Sequence, residues 1–316
     1  MNLVNVLPAS LRPWYLAARP RSLPATYAPL FIGGAVAVFF ELFEPVRFLL
    51  ALLGALLLQI GSNFINEYVD YRRGTDTQKV AGMGMVLSQA QLTPPQVLFG
   101  AIFSVVGGAL IGILLVALSG PSLLWVGVFG VVVVIAYTAG PVPLSYIGLG
   151  ELAVFIAMGP LMTYGTFYAV TTFQNPLGYF NTNALLAGLP IAFTCAAILH
   201  ANNMRDIDAD RAANKQTLAV RFGLQGARTE FKILIYGAYV TLGILILAEA
   251  IPAQTFLAYA TVPEALSLIK LATTTDDPKE LHKAQGLTAR LHWRFGLLIA
   301  LGWLAGWLVL RLSATG

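Results

Sequence analysis

Long apolar runs separated by short polar stretches dominate this chain. Runs of about 20 residues, enough for a helix of about 30 Å that crosses a bilayer, fall at 24–43, 48–68, 97–118, 122–139, 150–172, 185–203, 231–251, 253–271 and 290–311. The pattern predicts an all-α transmembrane bundle of about nine spans. A Ser-Gly-Pro-Ser turn at 119–122 separates the third run from the fourth. Pro263 and Glu264 interrupt the eighth, where the expectation is a kink facing the bundle interior. The first residues, through Pro8, Arg12 and Pro13, contain no basic segment followed by an apolar stretch, so the N-terminus reads as a mature, uncleaved end.

Composition strengthens the membrane assignment. The chain is 57% hydrophobic and 11% charged, with a mean hydropathy of +0.74. Soluble domains carry about 25% charged residues, so there is too little polar surface here to cover a water-exposed globule. The lone cysteine, Cys195, excludes a disulfide scaffold and reads as a small core residue. A net charge of +4 is too small to point to nucleic acid. The whole chain, 1–316, is expected to form a single membrane domain.

The placement of the charges carries more information than their number. With nine spans, all but Arg47 and Arg311 of the 19 Lys and Arg residues fall on the side of the N-terminal tail. Basic loops stay cytoplasmic, so the expectation is N-in and C-out. Acidic residues cluster on that same side. One cluster closes the second run, in Asn63-Phe64-Ile65-Asn66-Glu67-Tyr68-Val69-Asp70-Tyr71-Arg72-Arg73-Gly74-Thr75-Asp76, and another follows the sixth, in His200-Ala201-Asn202-Asn203-Met204-Arg205-Asp206-Ile207-Asp208-Ala209-Asp210-Arg211. Asn66 and Asp70 recur as Asn202 and Asp206 at one offset of 136 residues. An offset of four helices preserves direction and predicts a parallel internal repeat, with halves at about 20–145 and 150–312.

In each cluster an Asn and an Asp four residues apart share a helix face, Asp210 extends it by one turn, and Asp208 points away. Carboxylates and carboxamides offer the oxygen ligands that Mg²⁺ takes, usually together with substrate phosphates. Arg72, Arg73, Lys79, Arg205, Arg211, Lys215 and Arg221 flank the acids and suit phosphate oxygens. A diphosphate bridged by metal is the natural ligand.

The two clusters resemble the Asn/Asp-rich and Asp-x-x-x-Asp motifs of the UbiA-type intramembrane aromatic prenyltransferases. Ala18-Arg19-Pro20-Arg21-Ser22-Leu23-Pro24, Tyr137-Thr138-Ala139-Gly140-Pro141-Val142-Pro143-Leu144, Gly148-Leu149-Gly150-Glu151-Leu152 and Lys215-Gln216-Thr217 through Gly223 are similar to the branch that prenylates 1,4-dihydroxy-2-naphthoate in menaquinone biosynthesis. The resemblance spans residues 18 to 312. Two positions depart from the superfamily pattern. Asn66-Glu67 stands where Asn-Asp is common, and the acid expected at Gly74 comes at Asp76, as in the naphthoate-type branch.

The resemblance implies transfer of a polyprenyl group from its diphosphate to the ring of a dihydroxynaphthoate, which loses a proton and its carboxyl group. It implies Asp70, Asp206 and Asp210 as catalytic acids, and Asn66, Asp70, Asp76, Asn202, Asp206 and Asp210 around two Mg²⁺ ions in a cytoplasm-facing cavity. Arg72, Arg205 and Lys215 would meet the diphosphate. Arg21, Asn63, Tyr68 and Tyr137, with Phe64, would line the pocket for the ring and the allylic cation, whose charge aromatic faces stabilise. The prenyl tail would lie in an apolar groove between helices open to membrane lipid. Other acceptors within the fold are 4-hydroxybenzoate, homogentisate or a tetrapyrrole. A secondary transporter also has repeats and acids, but near the membrane midplane.

Elsewhere, His200 reads as a packed, hydrogen-bonded histidine rather than a base, and Glu151 as a helix-dipole partner. Gly82-Met83-Gly84 is either a phosphate-contacting loop or a mobile one.

Overall fold

The computed structural model describes residues 7–74, 85–139, 141–171 and 180–314. Each of the nine apolar runs is helical in it. The helices are α1 (Arg12–Ala18), α2 (Pro24–Phe39), α3 (Pro45–Arg73), α4 (Pro94–Ser119), α5 (Leu123–Ala136), α6 (Gly150–Ile156), α7 (Met162–Val170), α8 (Thr182–Ala187), α9 (Leu189–Arg205), α10 (Ile207–Ala212), α11 (Leu218–Leu247), α12 (Val262–Thr274) and α13 (Pro278–Ala314).

Local chemistry sets their ends. The Glu44 side chain caps α3 by accepting from the amides of Val46 (3.2 Å) and Arg47 (2.7 Å), with Pro45 next in line. Gly74 stops the same helix four residues beyond Asp70, at a left-handed φ of 71° that glycine adopts at no steric cost. The amide of Thr93 donates to the Gln96 side chain at the start of α4 (2.8 Å), and Thr217 caps α11 through the amide of Val220 (3.2 Å).

Among the described residues, six helical segments are long and apolar enough to cross a membrane: Pro45–Arg73, Pro94–Ser119, Gly150–Val170, Thr182–Arg205, Leu218–Leu247 and Pro278–Ala314. A seventh is the pair Arg12–Ser22 and Pro24–Phe39, bent by 54°. The remaining two runs differ from the expectation. The fourth forms a helix of only 14 residues. The eighth is a 3₁₀ stretch, Ala253–Thr261, that hands over to α12. Pro263 is not a kink, because it sits in the first turn of α12, where its missing N–H is no loss. Glu264 faces Arg290 (2.8 Å) and Arg294 (2.9 Å) of α13 instead of the bundle interior.

Packing follows the apolar faces. α3 lies along α4, α2 packs on α13 and α7, and α9 is held between α11, α13 and α6. Gly159, in a π-helical turn that joins α6 to α7, allows backbone contact with α9. A Cβ there would lie 2.2 Å from that of Ala192 and 2.8 Å from the Gly188 carbonyl oxygen. The outer face of α4 presents Phe99, Ile102, Phe103, Val106, Leu110 and Ile113 to the surroundings. In water such a continuous apolar stripe would be a liability, whereas in lipid it is the contact surface.

The ends of the bundle differ in charge. Asp70 and Asp206 lie at the C-terminal ends of α3 and α9, and Asp210 in α10, with the start of α13 beside Arg205. Arg47 and Arg311 lie at the opposite ends of α3 and α13, where Arg47 donates to the Thr171 carbonyl (2.8 Å) and Arg311 pairs with Glu41.

Candidate active site

α3 brings its polar residues to one face. Gln59, Ser62, Asn63 and Asn66 follow the helical repeat and line a cavity of about 170 Å³. Across it stands Asn202 of α9, with Tyr137 at the end of α5, Gln285 of α13, and Arg19 and Ser22 from the turn before α2. Asn66 and Asn202, which stand 136 residues apart in the sequence, thus line the same cavity. The hydroxyl of Thr138 donates to Asn66 Oδ1 (2.8 Å), and Asn63 Nδ2 donates to the Ala18 carbonyl (2.8 Å) and Ser22 Oγ (3.0 Å). These bonds fix the carboxamides as the cavity rim. Asp70, one turn beyond Asn66, is buried.

Glu67 turns out of the cavity. It is fully buried, and its Oε2 accepts from Arg19 Nη2 (3.1 Å) and the Met85 amide (3.0 Å), while Oε1 accepts from the Leu87 amide (3.3 Å). The position therefore anchors the backbone that follows the first motif, and the departure from an Asn-Asp pattern serves that anchor. Removing one partner of a buried ion pair costs about 3–5 kcal/mol. Glu67→Ala should accordingly lower the thermal midpoint in detergent by about 6 °C or more. A variant that melts with the wild type would contradict the anchor.

The second motif sits at a break between helices. α9 ends at Arg205, Asp206 occupies the junction, and α10 carries Asp208 and Asp210. Asp206 and Asp210 are both buried. Arg205 grips Asp206 bidentately, from Nε to Oδ1 (2.7 Å) and from Nη2 to Oδ2 (2.5 Å), and its Nη1 meets His282 Nδ1 (2.8 Å) and Gln285 Oε1 (3.3 Å). Lys215 Nζ donates to Asp210 Oδ1 (3.2 Å). Asp208 points outward, 99% exposed, and pairs with Arg211.

The loop from Pro141 to Leu149 joins the two motifs. The Arg73 guanidinium stacks 4.3 Å over the Tyr146 ring, and Lys215 Nζ lies 5.9 Å from the same ring. The amide of Gln216 donates to the Tyr146 carbonyl (3.0 Å), and Arg221 Nη2 donates to that of Ile147 (2.9 Å). The end of α3 and the segment that follows α10 are thereby held to one loop.

Not every residue expected at the site reaches it. Phe64 and Tyr68 pack with Ala17, Val86 and Val97 in a separate apolar cluster, not in the cavity wall. The reason is rotation: each residue turns a helix by about 100°, which places 64 and 68 on the flank opposite 59, 63, 66 and 70. Arg72 is exposed at the end of α3. Arg21 lines a small neighbouring pocket of about 10 Å³ with His282 and Gln285. Asp76, Lys79, Gly82-Met83-Gly84 and Gly140 lie outside the described residues. His200 is buried and hydrogen-bonded as expected, to Glu151 Oε1 (3.2 Å) and the Ala227 carbonyl (2.8 Å). Glu151, in the first turn of α6, is buried with it.

Sequence reasoning missed Arg19, Gln59, His282 and Gln285. Gln59 left a signal, a lone polar residue inside an apolar run one turn before Asn63. His282 and Gln285 left none, because they meet Arg205 only through tertiary contact.

Past Gln59, Val133 and Met158 the polar cavity meets an apolar one of about 200 Å³ between α3, α4, α5 and α7. Its walls include Gly112, Gly127 and Gly130, where an added Cβ would meet no atom within 4 Å. One chamber thus offers oxygen ligands beside bases, and the next offers space for a flexible hydrocarbon.

The sequence model of the UbiA prenyltransferase family matches residues 26–295. The chain belongs to the UbiA prenyltransferase family. This UbiA-family chain is 30% identical over 289 residues to a 1,4-dihydroxy-2-naphthoate octaprenyltransferase of Bacillus subtilis, covering 92% of this chain and 91% of that one. It is 39% identical over 240 residues to the enzyme of that name from Mycobacterium tuberculosis, covering 76% and 80%. Its fold matches that of a UbiA homolog from Archaeoglobus fulgidus bound to DMAPP and Mg²⁺, with a TM-score of 0.60 at 15% identity over 90% of this chain and 98% of the other. A UbiA homolog from Aeropyrum pernix superposes with a TM-score of 0.66 at 15% identity, covering 87% and 97%. The chain is therefore an integral membrane prenyltransferase.

Proposed function

We propose that this UbiA-family enzyme transfers a polyprenyl group from its diphosphate to 1,4-dihydroxy-2-naphthoate with release of CO₂, giving a demethylmenaquinone-type product. The observation that carries the reading is the pairing of Asn66 and Asn202 across one cavity that opens into an apolar one. The relatives named as naphthoate octaprenyltransferases support the acceptor, and the homolog bound to a prenyl diphosphate and Mg²⁺ supports the donor and the metal.

The donor set fits Mg²⁺, because the candidate ligands Asn66, Asp70, Asp76, Asn202, Asp206 and Asp210 are all oxygen ligands. Two Mg²⁺ ions bound there would neutralise the departing diphosphate. Lys215 and Arg72 are assigned to phosphate oxygens. Arg205, whose fork is taken up by Asp206, His282 and Gln285, is assigned to orient the Asp206 carboxylate rather than to contact the diphosphate.

In this reading the allylic C–O bond breaks and its electron pair leaves with the diphosphate. The ring carbon that bears the carboxylate attacks the allylic carbon. The carboxylate then departs as CO₂, and the electrons of that bond restore the aromatic ring. Tyr137 and Asn63 border the reacting ring, Arg21 holds the acceptor carboxylate beside His282, and the cavity walls keep water from the allylic carbon. The Gly-lined cavity takes the prenyl tail. The halves 20–145 and 150–312 contribute one motif each, and the motif-bearing end faces the cytoplasm.

An acceptor panel tests this directly. Purified protein in detergent with Mg²⁺ and a polyprenyl diphosphate should turn over 1,4-dihydroxy-2-naphthoate at least about a hundredfold faster, in kcat/KM, than 4-hydroxybenzoate, since misplaced polar groups are costly in a fitted site. A preference for 4-hydroxybenzoate would overturn the naphthoate assignment.

A further inference from the structure

We propose that Glu151, His200 and Glu230 form a second metal site, separate from the Mg²⁺ site, for a first-row transition-metal ion such as Zn²⁺. The three residues come from α6, α9 and α11, and their ligand atoms lie within 4.8 Å of one another. None of them lines the cavity that holds Asn66 and Asn202.

The hydrogen bonds of His200 set its tautomer. Its Nε2 lies 2.8 Å from the Ala227 carbonyl, which can only accept, so Nε2 carries a proton. Its Nδ1 then faces two carboxylates, Glu151 Oε1 at 3.2 Å and Glu230 Oε1 at 3.6 Å. A lone pair turned toward two carboxylates inside a protein is repulsive, so a proton or a metal ion belongs between them. A proton on Nδ1 leaves two carboxylates against one imidazolium, a net negative charge around a fully buried ring. It also leaves Glu151 Oε2 and Glu230 Oε2 buried without partners. The Glu151 side chain is only 6% exposed, and no Lys or Arg pairs with either glutamate among the described residues.

A metal ion on Nδ1 and the carboxylate oxygens meets each of these demands. The surrounding groups also match what metal ligands need. A metal-bound histidine donates its other ring N–H to a backbone carbonyl or carboxylate, as His200 does to Ala227. A ligating carboxylate is steadied by a further donor, here Asn203 Nδ2 on Glu151 Oε1 at 2.8 Å. Imidazole nitrogen favours Zn²⁺ and its neighbours over Mg²⁺, which takes oxygen ligands. Glu230, 20% exposed, gives the ion a way in. Asn203 adjoins Asn202 of the cavity wall, so an ion here would fasten α6, α9 and α11 directly behind that wall.

The test uses the full chain in detergent, stripped with a chelator and kept in excess Mg²⁺. Titrated with Zn²⁺ and then dialysed, the wild type should retain about one equivalent more than Glu230→Gln or His200→Gln. Its thermal midpoint should rise with Zn²⁺ while that of Glu230→Gln stays fixed. Co²⁺ should give the wild type a visible absorption band that Glu230→Gln lacks. Glu230→Gln keeps the side-chain size outside the prenyl-transfer machinery, so its turnover in Mg²⁺ reports an intact fold. If the wild type holds no more Zn²⁺ than the variants, or gives no Co²⁺ band, the proposal is overturned, whatever the prenyl-transfer assays show.

Discussion

Asp206→Asn should lower kcat by about a thousandfold or more, equivalent to about 4 kcal/mol of transition-state stabilisation. Asp206 is buried at the junction of α9 and α10 and is held in one orientation by both nitrogens of the Arg205 fork. Such fixing suits a group whose charge must be in place before the diphosphate departs. The asparagine keeps the size and one acceptor for Arg205, so the helices should stay assembled while the ligand charge is gone. Circular dichroism and the thermal midpoint separate the two effects. Asp208→Asn is the internal control: its side chain is 99% exposed and pairs only with Arg211 among the described ion pairs, so turnover should stay within about twofold. Equal losses in the two variants would mean that the motif acts through its overall charge rather than through an oriented carboxylate.

The second large effect concerns chain length. Gly130 lies on α5 in the wall of the apolar cavity, and a Cβ there meets no atom within 4 Å, so a larger side chain can enter without disturbing the helices. Gly130→Leu should fill part of the path assigned to the prenyl tail. The expected result is a drop of about a hundredfold in kcat/KM for octaprenyl diphosphate, or about 2.7 kcal/mol, with a change of less than about threefold for geranyl diphosphate. Initial rates with the two diphosphates at fixed acceptor measure this. Equal losses for both would place the tail elsewhere.

The features most legible in the sequence were those governed by long-range periodicity. The apolar runs mark the helical regions because a bilayer requires long hydrophobic stretches, although six or seven of the nine, rather than all, are long and apolar enough to span among the described residues, and the 136-residue offset pairs Asn66 with Asn202. Helix ends were harder to read. α11 extends back to Leu218 across a break at Gly223 (φ 66°), and α13 begins at Pro278, well before the apolar runs at 231 and 290, because these leading segments carry Arg221, Arg228, Lys279 and Lys283 while burying Ala219, Ala227, Leu281 and Ala284. Hydropathy averaged along the chain overlooks such amphipathic turns.

Side-chain direction limited the reading of the site. Glu67 and Tyr68 belong to the same motif as Asn66, yet one anchors Arg19 and the other packs against an apolar cluster, as the 100° step per residue dictates. Arg205, basic and adjacent to Asp206, reads from the sequence as a phosphate ligand. Its bonds to His282 and Gln285, 77 and 80 residues further on, are invisible there because only folding brings them together.

In the proposed reaction one catalytic event breaks the allylic C–O bond to the diphosphate and removes the acceptor carboxylate in the same cavity. The most direct measurement counts diphosphate, CO₂ and prenylated product in a single reaction with carboxyl-labelled 1,4-dihydroxy-2-naphthoate, Mg²⁺ and a polyprenyl diphosphate. A ratio of about one to one to one is expected, with formation of all three products collapsing in Asp206→Asn. Prenylated product that retains the label, or CO₂ released without diphosphate, would contradict it.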